Sequence, residues 1–376
     1  MASATRKSFK KCWPRCFFGL TYSIKLKICR IFATAKVNIF HETVKKFLYF
    51  LKILAPFALM AGILWWMYRG TDLKHLFVEG CATLNWWWMS LSLLFGIVPL
   101  VFRSLRWRMA LQPLGEHPTV RTTNDVIYVS YAASLVIPRV GEVARCGMLK
   151  RFAGVSFSKS LGTVVSERVV DSALMLLLAV ISFLCQLPQF LVFMRTTGFN
   201  VHTLAGRFTA TGWWVTILCA IIGLGFAVYI LFRLRLLKQT RVKLQGFWDG
   251  MMSLRQLRRP WLYIFYSVGI WIGYFLHFYI AFFAFSFTAD IGILPALLIF
   301  CVGTFAVLVP TPNGAGPWHF AVKTMLILYG VAEAPAILFA LVVHTIQTLL
   351  IAVLGVVGWA DLLWWVSPPQ QKAEGQ

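Results

Sequence analysis

Three short stretches place charged and helix-breaking residues inside otherwise apolar sequence. PRVGEVAR (138–145) holds Arg139, Glu142 and Arg145, and SERVVDS (166–172) holds Glu167, Arg168 and Asp171. PTPNGAGPWH (310–319) holds Asn313, Gly314, Gly316 and His319. Arg139 and Arg145 can offer planar guanidinium forks to a phosphate, which suits arginine better than lysine. Glu142 lies three residues before Arg145, on the same helical face, and can hold one of the arginines in place. The same spacing also suits a local Arg139–Glu142 pair that only closes a turn. Glu167 and Asp171 are i,i+4 on one face, with Arg168 beside them. Ionisable groups inside a membrane span are rare, paired and functional by default. Here they can balance the arginines, hold a cationic headgroup, or share a proton, because neighbouring like charges raise one pKa. They can equally be a salt bridge that locks two spans.

In the third stretch, Pro, Gly and Asn together forbid a continuous helix. A helix starting there points backbone N–H groups at whatever it faces, an anion-binding arrangement. His344 and Gln347 share a helical face downstream that can meet Asn313 and His319, although a lone intramembrane His is as readily a packing residue. FRSLRWR (102–108) reads as a cytoplasmic end anchor with Trp107 at headgroup level. No Walker A loop, H-E-x-x-H or G-x-S-x-G stretch occurs, so the sequence points to no catalytic residue, metal or cofactor.

The elements that must hold these residues are membrane helices. The chain is 59% hydrophobic and 13% charged, against about 25% charged residues in a soluble domain. Six segments approach or exceed the roughly 20 apolar residues that a spanning helix needs: 47–67, 85–103, 160–187, 213–233, 261–287 and 335–360. Two further apolar stretches, 126–137 and 293–309, stop at prolines. Proline removes a helical hydrogen bond and glycine permits a turn, so each stretch is expected to enter the membrane and return.

Charge distribution sets the topology. The net charge of +23 invites a nucleic-acid reading, but its placement argues against one. Residues 1–46 carry eleven Lys/Arg and one acid, and 234–260 carry seven and one. The connections at 68–84 and 188–212 carry two basic residues each. This is the positive-inside pattern. It puts both termini, the 104–123 region and the 234–260 connection in the cytoplasm, with the basic segments against anionic inner-leaflet lipids. Residues 1–46 do not read as a signal peptide; they read as either an interfacial amphipathic helix or a basic tail. The eight cysteines form no framework. Cys146, Cys185, Cys219 and Cys301 fall in apolar runs and read as buried, and Cys12 and Cys16 as reduced cytoplasmic thiols.

The two halves repeat an order of features. An apolar run ends at Pro138 or Pro310, followed by a break at Gly141 or at Gly314 and Gly316. An amphipathic piece then ends in Gly-Val (154–155; 330–331), and a long span follows with polar residues early in it. With two spans before each broken segment and one after, the halves come out in opposite orientations. Paired Gly/Pro-interrupted segments of this kind point to a transporter's binding site. The expected fold is therefore an all-α polytopic membrane protein, with about six transmembrane helices and two re-entrant helical hairpins in an inverted-topology repeat. Its parts are a basic segment 1–46, a membrane domain 47–365 (repeats about 47–187 and 213–360) and a tail 366–376.

SLRWRMALQPLG (104–115), IPRVGEVAR (137–145), GTVVSERVVD (162–171) and VPTPNGAGPWH (309–319), in that order, resemble the lysylphosphatidylglycerol synthase transmembrane-region family. The resemblance implies a flippase-like membrane domain tied to translocation of phospholipids, including aminoacylated phosphatidylglycerol, or of lipid-linked substrates. The soluble aminoacyl-transferase domain of the family's synthases has no counterpart among these stretches. The leading expectation is a lipid translocator in a plasma (bacterial inner) membrane. Arg139, Arg145 and Arg168 would take phosphate, and Glu142, Glu167 and Asp171 would balance them. The partner is a phospholipid or lipid-linked substrate, not nucleic acid, and a homo-oligomer is left open. The alternatives are a non-transporting scaffold for a lipid-synthesis enzyme and a membrane lipid-phosphate transferase using Glu167 or Asp171 as base.

Overall fold

The computed structural model describes residues 54–70, 78, 82–187 and 238–365. The expected span at 213–233, the basic segment 1–46, the tail 366–376, Cys12, Cys16 and Cys219 lie outside the described residues. The chain divides into two contact units after Ala58, and the second, Leu59–Gln376, contains the elements that matter for function.

Every regular element among the described residues is helical, as expected of an all-α membrane protein. A short apolar helix, α1, covers Leu54–Tyr68. Long helices follow at Trp86–Leu111 (α2), Phe157–Cys185 (α5), Pro260–Ile280 (α7) and Glu333–Trp364 (α10). With the short turns that extend two of them, these are, among the described residues, the four helices long and apolar enough to cross a membrane. They correspond to the expected spans at 85–103, 160–187, 261–287 and 335–360. The basic connection contributes α6 (Lys238–Met252).

Between the long helices lie two pairs of short ones. The first pair is α3 (Val120–Val136) and α4 (Val140–Ala153), and the second is α8 (Ile293–Ala306) and α9 (Pro317–Leu328). At 1.5 Å per residue, the 17 residues of α3 and the 14 of α8 reach only about 25 and 21 Å, short of a hydrocarbon core of about 30 Å. Each pair folds back on itself, α4 against α3 and α9 against α8. Thr119 caps α3, its hydroxyl accepting from the Thr122 N–H at 3.2 Å.

Small residues set the closest packing, as expected where no hydrophobic force draws helices together in lipid. A Cβ on Gly273 would come within 2.7 Å of Pro99, and one on Gly269 within 2.7 Å of Phe102. That register makes α7 antiparallel to α2. Gly355 and Gly358 of α10 lie against Ala132 and Asp125 of α3 in the same way. Two apolar cores result. Trp107, Ile127, Leu149 and Phe152 form one around the first hairpin, and Phe278, Ile299, Trp318 and Phe339 form the other around the second. The outer face of α5 shows Leu176, Leu177, Val180 and Leu184, the surface an integral membrane protein offers to acyl chains. Cys146 and Cys301 are buried as free thiols. Cys185 corrects the burial expected of it: it is exposed at the end of that lipid-facing stretch.

Candidate functional site

The two hairpin breaks are built alike. Among the described residues, the only non-glycine residues with positive φ are Arg139 (63°) and Asn313 (52°). Each directly follows a proline, Pro138 or Pro312. The left-handed conformation is uncommon outside glycine, and where it persists the surrounding structure must hold it. The structural counterpart of Pro138-Arg139 is thus Pro312-Asn313, two residues later than the Pro310 match that sequence order suggested. Gly141 allows the first turn to close. A Cβ there would overlap the Ser130 carbonyl, and the Gly141 N–H donates to Ser134 Oγ at 3.2 Å.

The breaks meet. Arg139 Nη2 donates to the Leu308 carbonyl at 3.0 Å, tying the first break to the approach of the second. Between them lies a cavity of about 230 Å³, lined by Arg139, Glu142, Arg145 and Arg168 on one side and Thr311, Asn313 and Gly314 on the other. Tyr131, Ser130 and Ser134 add hydroxyls to its wall.

Behind the cavity is a buried ion cluster. Arg145 Nη2 donates to Glu167 Oε2 at 2.9 Å. Arg103 Nη1 donates to Asp171 Oδ2 at 2.9 Å, and Arg106 Nη1 to Asp171 Oδ1 at 2.6 Å. Arg106 also faces Glu167, Nε to Oε1 at 3.6 Å, and reaches Ser267 Oγ at 3.2 Å. Glu167 and Asp171 lie about 15 and 21 Å along α5 at 1.5 Å per residue. Aromatic rings cover the guanidinium faces: Trp107 lies 4.6 Å from Arg145, Tyr263 5.6 Å from Arg106 and Tyr131 5.9 Å from Arg103. Such contacts strengthen when water is excluded.

These pairings change several sequence expectations. Glu142 pairs with Arg168 (2.8 Å), not with Arg139 or Arg145. Glu167 and Asp171 each meet arginines rather than one another, the arrangement of a lock and not of a shared proton. Arg103, Arg106 and Trp107 are not an interfacial anchor. They are 3%, 0% and 0% exposed, and the Trp107 indole N–H donates to Thr163 Oγ1 at 2.9 Å. Arg103 and Arg106 are therefore the members of the site that the sequence reading missed. The available signal was the same one that flagged Glu167 and Asp171: two ionisable residues on one turn of an apolar helix.

Charge does not balance. Arg103, Arg106, Arg145 and Arg168 face Glu142, Glu167 and Asp171, an excess of one positive charge, and Arg139 adds a second. Arg145 keeps Nε and Nη1 buried without a hydrogen-bond partner among the described residues, while its side chain lines the cavity. An unmet buried donor costs free energy, which gives the Arg145 side chain reason to turn toward an acceptor that enters the cavity. The surplus charge and the free donors both suit an anion.

The second hairpin supplies polar support. Asn313 Nδ2 donates to Thr348 Oγ1 at 2.7 Å, and its carbonyl lies 3.2 Å from His344 Nε2. The His319 and His344 rings lie with centroids 4.4 Å apart, tilted by 50°, and His319 Nδ1 accepts from the Gly316 N–H at 3.3 Å. His319 and His344 are thus partnered packing residues behind Asn313. Gly316, at φ 90°, turns the chain into α9. Neither Gly316 nor Gln347 lines the cavity, and the Gln347 side chain makes no hydrogen bond among the described residues.

A family model described as Lysylphosphatidylglycerol synthase TM region matches residues 53–355, a stretch that contains both hairpins and the whole ion cluster. The chain belongs to the lysylphosphatidylglycerol synthase transmembrane-region family. No curated protein and no solved structure matches it. Membership makes it an integral membrane protein associated with membrane phospholipid, and the four motifs that carried the resemblance all fall within the matched stretch.

Proposed function

We propose that this chain moves an anionic or aminoacylated phospholipid, or a lipid-linked headgroup, between leaflets. The observation that carries this reading is that both hairpin breaks line one cavity with surplus positive charge. Arg139, Arg168 and the free donors of Arg145 bind the phosphate. Asn313 and the hydroxyls of Tyr131 and Thr311 hold the rest of the headgroup. Arg103, Arg106, Glu167 and Asp171 act as the rigid floor that keeps Arg145 aimed. Both hairpins are re-entrant, the chain has about six spans, and the repeats run from about 47 to 187 and from 213 to 360. Non-helical backbone at membrane depth is stable only where protein or a wet cavity satisfies it, which is what the breaks have. Rocking of one repeat against the other then exposes the cavity to alternate sides. The termini and the 234–260 connection face the cytoplasm of a bacterial inner membrane.

A scaffold that binds a lipid-synthesis enzyme is the second reading, favoured by the self-pairing of the deep cluster. Transport separates the two. The full chain in proteoliposomes is expected to move a fluorescent phosphatidylglycerol across the bilayer faster than protein-free vesicles do, and faster than it moves the phosphatidylcholine analogue. Rates equal to the protein-free control for both lipids would favour the scaffold.

A further inference from the structure

A larger groove lies among residues that lipid translocation through the hairpin cavity does not use. It has a volume of about 710 Å³ and forms where the end of α2 meets the start of α7. The antiparallel register of these helices brings Arg108 and His117 from one side together with Arg258 and Arg259 from the other. No carboxylate is among its lining residues. Arg108 Nε donates to the Pro118 carbonyl at 2.9 Å, which seats the guanidinium in the wall and leaves its terminal nitrogens unpartnered among the described residues. Arg258 and Arg259 are exposed and have no ion pair among those residues.

The rest of the groove is apolar, with Leu262 and Tyr266 among its lining residues. Next to it, Trp261 is 81% and Phe265 59% exposed, aromatic side chains of the kind that settle at a membrane–water interface. The volume lies in the range of about 300–1,000 Å³ typical of small-molecule sites, well beyond what bare phosphate fills. A cationic end beside an apolar wall at the interface matches a phosphodiester followed by glycerol and the first methylenes of an acyl chain.

We propose that this groove is a second lipid site, which takes the phosphate of an anionic phospholipid independently of the hairpin cavity. It is more than diffuse attraction between the basic 234–260 connection and the leaflet. Arg108 and His117 come from a distant part of the chain and give the charge a shaped wall.

The test counts lipids bound to the purified full chain in neutral detergent by native mass spectrometry. The probes are short-chain phosphatidylglycerol, phosphatidylcholine of the same chain length, and sn-glycerol 3-phosphate. Phosphatidylglycerol is expected to bind more tightly than phosphatidylcholine. Arg258→Gln and Arg259→Gln are each expected to weaken phosphatidylglycerol binding about tenfold, from about 1.5 kcal/mol for a hydrogen bond to a charged group. Arg255→Gln removes the same charge from a neighbouring exposed position outside the groove and is expected to change binding by less than about twofold. All three positions are exposed, so the variants should stay monodisperse on size exclusion. Equal affinity for the two lipids, or an Arg255→Gln loss matching that of Arg258→Gln, overturns the proposal. Displacement of phosphatidylglycerol by equimolar glycerol 3-phosphate would assign the groove to a soluble phosphate and also overturn it. In an Arg139→Ala background the loss caused by Arg258→Gln is expected to be the same as in the wild type, so the failure of this proposal and that of the translocation reading are read separately.

Discussion

Arg106 and Glu167 have no exposed side-chain surface, whereas Arg168 and Glu142 keep 40% and 42% of theirs. That contrast predicts opposite consequences for two single substitutions. Breaking a buried pair leaves an uncompensated charge, at about 3–5 kcal/mol. Glu167→Ala is therefore expected to lower thermal stability in detergent severely. Replacing Glu167 together with Arg145, its hydrogen-bonded partner, by leucine or methionine should recover part of that loss, a coupling that a double-mutant cycle measures. Arg168→Gln touches a half-exposed pair worth about 0–1 kcal/mol and should barely change stability while it slows transport. The charges at 139–145 and 167–171 were legible because ionisable residues stand out in apolar sequence. Arg103 and Arg106 were not, because arginine and tryptophan near the end of an apolar run are also what an interfacial anchor looks like. Depth decides between the two readings, and depth depends on α2 running on to Leu111.

The hairpins are the elements that convert these residues into a site. Their breaks were readable from Pro138, Gly141, Pro310 and Gly314, since proline and glycine act locally. Their registration was not, because the left-handed conformations of Arg139 and Asn313 depend on contacts across the cavity, such as Arg139 to the Leu308 carbonyl. The first turn has no room for a side chain at 141, where a Cβ would overlap backbone oxygen rather than a movable side chain. Gly141→Val is expected to splay α3 from α4, at a cost of at least about 1–3 kcal/mol, the usual range for overpacking. Limited proteolysis should then cut between residues 136 and 140, and the native chain is expected to resist there. Uncleaved Gly141→Val protein of native stability would contradict this account of the turn.

Across the whole molecule, the spans at 85–103, 160–187, 261–287 and 335–360 were legible as continuous apolar runs, the strongest signal a membrane chain gives. The composition of the cavity is not written in such runs, since its few polar atoms are brought together from α3, α4, α5 and the 310–314 break. The charge distribution predicts sidedness. In a cysteine-free background, a membrane-impermeant maleimide added from the cytoplasmic side should label cysteine placed at Gln256, and added from the other side should label it at Gly70, both exposed positions. The central claim is that the cavity between the hairpins carries the headgroup. The most direct measurement is the rate at which the reconstituted chain moves fluorescent phosphatidylglycerol, compared among wild type, Arg139→Ala and Arg121→Ala. Arg121 pairs with Asp361 and does not line the cavity, so it controls for loss of a cation. A charge-assisted hydrogen bond of about 1.5–3 kcal/mol predicts a roughly 10- to 100-fold slower rate for Arg139→Ala, with Arg121→Ala close to wild type. Arg139→Ala moving lipid at the wild-type rate would contradict the account.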